Sequence, residues 1–478
     1  MFVLMLAYLA LTIIRPADYL PGLADVPLMP ATLIGAFVLW LASRNKRLDA
    51  PQYVLLLAFL LALMVSVAAT GWIGGAILQL QHFGPTVVAF VVLAACVDSP
   101  RRLTATMAVF VLCATVLALH GLDQIMHGVG WTGMSLSTGR RIRYVGIFND
   151  PNDLGLLFVC AVPMAVYLFG RGGGMGLWRL LWLSCTALLV YGIYLTNSRG
   201  AMLALLVLVG VWVWRRRGLV TAAVLGSVCL SGMLMLPSRL QDVSVDESSA
   251  FGRVDAWYVG LHLFTSHPLV GVGANNFTEY NPLTAHNSFV LVLAETGFVG
   301  YVLWLAFIGY CLWMMWTVVR HRPLARADAA NAGEEADAVA AEPGAARTPL
   351  ATPGSANVAA AAALPSATRM APVQAASAGA GASARGGDPE WQRERALAMT
   401  LLLSLCGFLA AAFFLSRSYL VILYLVAALA VGEYSGARSR WPQLRRFDLG
   451  RHLLRWPLLA AASIVVLFLT VHLLMATA

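Results

Sequence analysis

Charge is scarce in this chain: 12% of its 478 residues are Asp, Glu, Lys or Arg, whereas 60% are hydrophobic. A mean hydropathy of +0.76 excludes a soluble globular protein. Lysine is almost missing, with Lys46 alone among 32 basic residues, so the choice of arginine at any one site carries less meaning than usual. The seven cysteines, Cys96, Cys113, Cys160, Cys185, Cys229, Cys311 and Cys406, all lie in apolar runs, at none of the paired spacings of zinc or redox sites. They read as core residues. Walker A, dinucleotide-binding and His-Glu-x-x-His patterns are all missing, which argues against ATP-driven transport and metalloprotease chemistry. No internal repeat and no pair of matching broken helices marks the chain as a transporter. Acidic residues within the apolar runs are too few to line a polar path for a permease.

What the chain does have is length of apolar sequence. Crossing about 30 Å of hydrocarbon takes roughly 17–25 residues. Candidate runs fall at about 1–14, 29–43, 53–70, 79–97, 103–121, 153–170, 178–196, 200–214, 219–236, 297–319, 396–416, 419–433 and 453–475. The expected fold is therefore an all-α polytopic membrane protein with about 12–13 transmembrane helices. The first run leads straight to Arg15-Pro16 without a cleavage pattern and is expected to be retained as a span. Runs 1–14, 29–43, 200–214 and 419–433 are short for full spans.

The net charge of +9 is distributed as a membrane protein would have it, and not as a nucleic-acid binder. Arg44 to Arg47, Arg101-Arg102, Arg171 with Arg179, Arg215 to Arg217, and Arg438 to Arg455 occupy short loops on alternate sides of successive runs. This positive-inside pattern assigns them, and the N-terminus, to the cytoplasm. An odd number of spans puts the C-terminus outside. Segments 15–28, 122–152 and 237–285 then face outward, the last as a large periplasmic loop between the ninth and tenth spans. Residues 322–392 change to Ala, Gly, Pro and Ser with scattered charge, and are expected to form a disordered cytoplasmic insertion. It separates a membrane bundle of 1–321 from C-terminal helices in 393–478.

Polar chemistry concentrates in the outward segments. Asn149 to Asp153 reads as a helix start, a polar cap followed by proline, with Arg140, Arg141 and Arg143 just before it. Arg199 sits between two runs with hardly any loop, where a charge is costly and so is functional or paired. Arg253 precedes Trp257-Tyr258. His286 precedes an apolar run, and at 100° per residue Gly297 and Gly300 share its stripe on an unbroken helix, a surface open to close approach. Glu295 would point to the opposite face. Taken singly, His286 also fits an interfacial histidine bonded to a carbonyl, Arg199 a snorkelling side chain, and Arg253 a surface residue. Together, arginines on one face with a histidine suit a diphosphate substrate. Guanidinium forks hold phosphate oxygens, and a neutral imidazole takes a proton from a hydroxyl. Arg140 and Arg141 fit anionic lipid headgroups as well.

Phe148-Asn149-Asp150-Pro151-Asn152, Thr196-Asn197-Ser198-Arg199-Gly200-Ala201, Gly252-Arg253 with Trp257, His267 to Gly273, and His286-Asn287 with Gly297 and Gly300 occur in that order over about 145–300. In this the chain resembles the O-antigen ligase and O-antigen polymerase family of bacterial envelope glycosyltransferases. The resemblance implies a GT-C-like multi-helix enzyme of the bacterial inner membrane, working without metal or cofactor on its periplasmic side. It implies transfer of glycan from an undecaprenyl diphosphate-linked donor to an acceptor hydroxyl. That acceptor is the lipid A core for a ligase, a second lipid-linked unit for a polymerase, and a Ser or Thr side chain for the related protein O-oligosaccharyltransferases. It further implies that His286 acts as base or orients the acceptor, and that Arg199 and Arg253 hold the diphosphate; Arg143 is added from its position. A lipid-linked glycan flippase is the reading from a different class.

Overall fold

A computed structural model describes residues 1–44, 46, 48–138, 140–171, 176–234, 243–321 and 388–477. The chain divides into two units, Met1–His321 with Glu394–Ala478, and Arg322–Arg393. The insertion expected at 322–392 lies, as far as residue 387, outside the described residues.

All thirteen apolar runs become helices. In chain order they are α1 (Phe2–Ile14), α2 (Leu28–Ala42), α3 (Pro51–Ala68), α4 (Ile73–Cys96), α5 (Pro100–His127), α6 (Pro151–Phe169), α7 (Leu177–Leu195), α8 (Arg199–Arg217) and α9 (Leu219–Leu234). Then come α10 (Val243–Ser266), the single turn α11 (Phe277–Tyr280), α12 (Ser288–Arg320), α13 (Pro389–Ala412), α14 (Val421–Arg440) and α15 (Arg455–Thr477). Among the described residues, ten helices are long and apolar enough to cross a membrane. The protein is thus an all-α, multi-pass membrane protein.

Ten is fewer than the 12–13 spans expected, and the difference lies in helices that are short or end in charge. Helix α1 has 13 residues, about 20 Å at 1.5 Å per residue, which is short of the hydrocarbon thickness. Helix α9 has 16, and α8 carries Arg199 at one end and Arg215, Arg216 and Arg217 at the other. About half of the segment 237–285, expected to face outward, is the 24-residue helix α10, which packs on α12 and α15.

Burial sorts the helices. Helices α6, α12 and α14 are enclosed on nearly every side, whereas α2, α7 and α15 present leucine, valine and tryptophan outward, as helices facing lipid do. Helix α6 begins where the sequence places it. Asp150 caps it by accepting from the Asn152 N–H at 2.8 Å, and Pro151 fills a first-turn position that needs no N–H. At its centre α6 meets α13, where the Ser404 hydroxyl donates to the Cys160 carbonyl at 2.9 Å and Gly407 lies against Val159 and Leu208.

Helix α12 is not continuous. Gly297 has φ 61 and ψ −164 and breaks it, so the stripe joining His286 to Gly297 and Gly300 does not exist as drawn on an unbroken helix. His286 also lies outside the helix, ahead of the cap Asn287. A break inside an apolar core exposes backbone donors and acceptors that must be satisfied, and the segment after α10 satisfies them. Val272 and Gly273 donate to the carbonyls of Ala294 and Glu295, both at 3.0 Å, while Phe298 and Val299 donate to those of Pro268 and Leu269 at 2.8 and 3.2 Å. Backbone meets backbone so closely that a Cβ on Gly297 would stand 2.4 Å from the Leu269 carbonyl carbon, and one on Gly271 would stand 2.3 Å from that of Glu295. Gly297 and Gly271 therefore admit the chain itself.

Candidate active site

His286 stands at the entrance to the broken helix in a left-handed conformation, φ 47, which a non-glycine residue holds only when its neighbours fix it. Two neighbours do. The Asn287 Oδ1 accepts from the N–H groups of Phe289 and Val290 at 2.9 and 3.2 Å and so starts α12. Its Nδ2 is buried with no partner. Ser288 ties this start to the link between α13 and α14. Its hydroxyl donates to the Leu415 carbonyl at 2.6 Å and accepts from the Arg417 N–H at 2.9 Å, while its carbonyl accepts from the Ser418 hydroxyl at 2.9 Å. His286 and Arg417, distant in sequence, are thereby fixed on one junction.

Below the junction Glu295 is buried, accepting from the Tyr419 hydroxyl at 2.8 Å and the Phe277 N–H at 3.3 Å. Burial and the Glu295 charge push the Tyr419 phenol well above its ordinary pKa, so it remains a donor. The Ser66 hydroxyl donates to the Glu295 carbonyl.

The Arg417 guanidinium is divided between two carboxylates at the start of α6. Its Nε donates to Asp153, its Nη2 approaches Asp150 at 3.5 Å and its Nη1 donates to the Ser416 carbonyl at 3.3 Å. The Asp153 side chain is 5% exposed and that of Arg417 32%, so the pair is largely withdrawn from water and strongly coupled. These charges reach His286. Its pKa is lowered first by burial, then by Arg253 and Arg417, with Asp150 opposing. The ring is consequently neutral at pH 7, the form that accepts a proton.

The sequence-predicted arginines divide. Arg253, half-buried on α10, acts on His286 and also on Arg141. Burial lowers the Arg141 pKa, Asp150 raises it and Arg253 lowers it further. Arg141 joins two motifs: its Nε donates to the Thr196 carbonyl and its Nη2 to Asn152 Oδ1, both at 2.9 Å. Arg199 opens α8 behind the cap Ser198, exposed, at a helix end whose dipole already favours anions. Arg143 is taken up within its own loop, by the Ser135 carbonyl at 2.9 Å, the Ser135 hydroxyl at 3.2 Å and Asn149 Oδ1 at 3.4 Å. Arg140 has φ 58, in the same loop.

Arg417, Asp150 and Asp153 line a cavity of about 510 Å³ together with Asn149, Asn275, Ser416 and Tyr419. Arg417 and the acceptor role of Asp153 are missed by sequence reasoning. The available signal was Ser416-Arg417-Ser418, a polar break between two apolar runs much like Ser198-Arg199. Among the described residues no three His, Cys, Asp or Glu side chains cluster as a metal site requires.

Residues 184–305 match the family model described as O-antigen ligase. That segment contains Arg199, Arg253, His286 and the break at Gly297, while Asp150, Asp153 and Arg417 fall outside it. No curated protein matches the chain significantly. The match over residues 184–305 supports the resemblance to the O-antigen ligase and polymerase family.

Proposed function

We propose that the protein is an O-antigen ligase-type glycosyltransferase, moving glycan from undecaprenyl diphosphate to a hydroxyl of the lipid A core at the periplasmic face of the inner membrane. The observation that carries this reading is a half-buried His286 within the field of Arg253, in a segment that matches the ligase family. In the step, the acceptor oxygen bonds to the anomeric carbon and its proton passes to the His286 ring. The bond from that carbon to the diphosphate oxygen breaks, and the electron pair leaves with undecaprenyl diphosphate. Negative charge grows on the departing oxygen, so fixed guanidinium groups stabilise the transition state more than the ground state. Arg253 and Arg199 are assigned to that task, and Arg143 to the outer edge of the site. A positioned base is worth about 10²–10⁴ in rate.

The alternation of arginine-rich loops supports the outward orientation, and no motif in 322–392 contributes chemistry to the reading. The test is transfer by the full chain in lipid nanodiscs from undecaprenyl diphosphate-linked glycan, with lipid A core present and then omitted. Product on lipid A is expected. Longer glycan on undecaprenyl diphosphate without lipid A would replace the ligase assignment with a polymerase, and no product with these acceptors or with a Ser- or Thr-bearing protein acceptor would overturn the transferase reading.

A further inference from the structure

We infer that the cavity beside Arg417 is a sugar-binding subsite, taking a hydroxyl-rich ring and not the diphosphate; the inference rests on the transferase reading above. Charge is the first argument. The cavity of about 510 Å³ is lined by Asp150, Asp153 and Arg417, and the single cation is already divided between the two carboxylates and the Ser416 carbonyl. A diphosphate placed there would meet two like charges and one committed guanidinium. A sugar hydroxyl both donates and accepts, and the Asp150 carboxylate with the Asn149 and Asn275 amides presents both kinds of partner.

The second argument is an unpaired group. The Ser416 hydroxyl lines this cavity, its oxygen is buried, and it has no hydrogen-bond partner. Such a group costs stability unless a ligand completes it. The third is continuity with a neighbour. A second cavity of about 430 Å³, lined by Trp72, Gln79, His82 and Phe83 among others, shares Asn275 and Tyr419 with the first. Asn275 stands at their meeting point in a left-handed conformation, φ 66, with its Nδ2 donating to Gln79 Oε1 at 3.3 Å. Beyond it the exposed Trp72 ring offers an apolar face of the kind on which sugars stack. Two chambers of mixed polar and apolar lining that share an amide, the far one carrying an aromatic face, suit a glycan of more than one ring. His286 is within the field of Asp150 and Arg417 on the walls of the first.

Two glycans present the same chemistry, the acceptor and the sugar end of the donor, and kinetics separate them. The experiment compares wild type with the double variant Ser416→Ala, Asn149→Ala, as full chain in nanodiscs. It measures KM for lipid A core, KM for undecaprenyl diphosphate-linked glycan, and Ki for undecaprenyl diphosphate lacking sugar. Loss of two neutral hydrogen bonds raises the KM of one glycan roughly tenfold, and which one rises identifies the source; Ki stays unchanged. A comparable rise in Ki would show that the cavity holds the diphosphate and overturn the inference. So would two unchanged KM values, repeated with Trp72→Ala, while wild type transfers normally; the transferase reading would survive that result. Absence of transfer by wild type would overturn both. Because the Ser416 hydroxyl has no internal partner, its removal leaves the fold intact.

Discussion

Replacing Gly297 by alanine tests how the site is built. The residue has φ 61 and ψ −164, a region essentially closed to other residues, where a side chain costs about 1–3 kcal/mol. The added Cβ would also stand 2.4 to 2.6 Å from three backbone atoms of Leu269 and Val270, so backbone has to move. Four hydrogen bonds join the broken helix to Pro268–Gly273; at a net value of about 1 kcal/mol each, losing two adds about 2 kcal/mol. The sum, about 3–5 kcal/mol, is a large share of the roughly 5–15 kcal/mol that holds a typical domain folded. The control is Gly210→Ala in α8, where an added Cβ meets nothing within 4 Å and the change is expected to be neutral or stabilising by up to about 1 kcal/mol. Reversible unfolding in mixed micelles, followed by tryptophan fluorescence, reads both. Equal unfolding midpoints for the two variants would refute the account of the break.

Other predictions follow from the charges and the junction. His286 must be neutral to take a proton and its pKa is lowered by burial and then by Arg253 and Arg417, so the acid limb of kcat/KM lies below the ordinary histidine value of about 6.5. Arg253→Ala removes a cation and moves that limb up in pH; Asp150→Asn removes an anion and moves it down, while asparagine still caps α6. Shifts in the same direction for both variants would contradict the placement. Arg417→Ala leaves the buried Asp153 carboxylate without its partner and destabilises the protein by about 2–4 kcal/mol, less than a fully buried pair because Arg417 is partly exposed. Adding Asp153→Asn recovers part of that loss in the same unfolding measurement. Ser288→Ala removes two of the three bonds that hold Leu415, Arg417 and Ser418 to the start of α12; kcat falls at least tenfold with the protein still inserted, and Ser288→Thr restores part of it. Deletion of 323–387 leaves transfer within about twofold of wild type, since the assigned chemistry lies elsewhere.

Much of the fold was legible because apolar length is a direct physical demand of the bilayer. Every run read as a span became a helix, and the Asp150-Pro151 start of α6 lies where cap chemistry places it. Counting spans was harder, since α1, α8 and α9 are helices whose length or terminal arginines fall short of a full crossing. His286 and Arg253 were legible as polar residues at apolar boundaries. Their geometry was not. The break at Gly297 depends on a segment that supplies hydrogen bonds from outside the helix, so counting 100° per residue from His286 carried across a point where the helix stops. Arg417 and Asp153 lie 264 positions apart, and nothing periodic links them. The glycines near His286 suggested an approaching ligand, and what approaches Gly297 is the backbone of Leu269.

Glycan transfer by His286→Ala, compared with wild type at matched amounts in nanodiscs with undecaprenyl diphosphate-linked donor and lipid A core, bears most directly on the central claim. The account predicts that the variant inserts and unfolds like wild type but loses at least a hundredfold in kcat. Transfer at the wild-type rate by a properly inserted His286→Ala protein would contradict it.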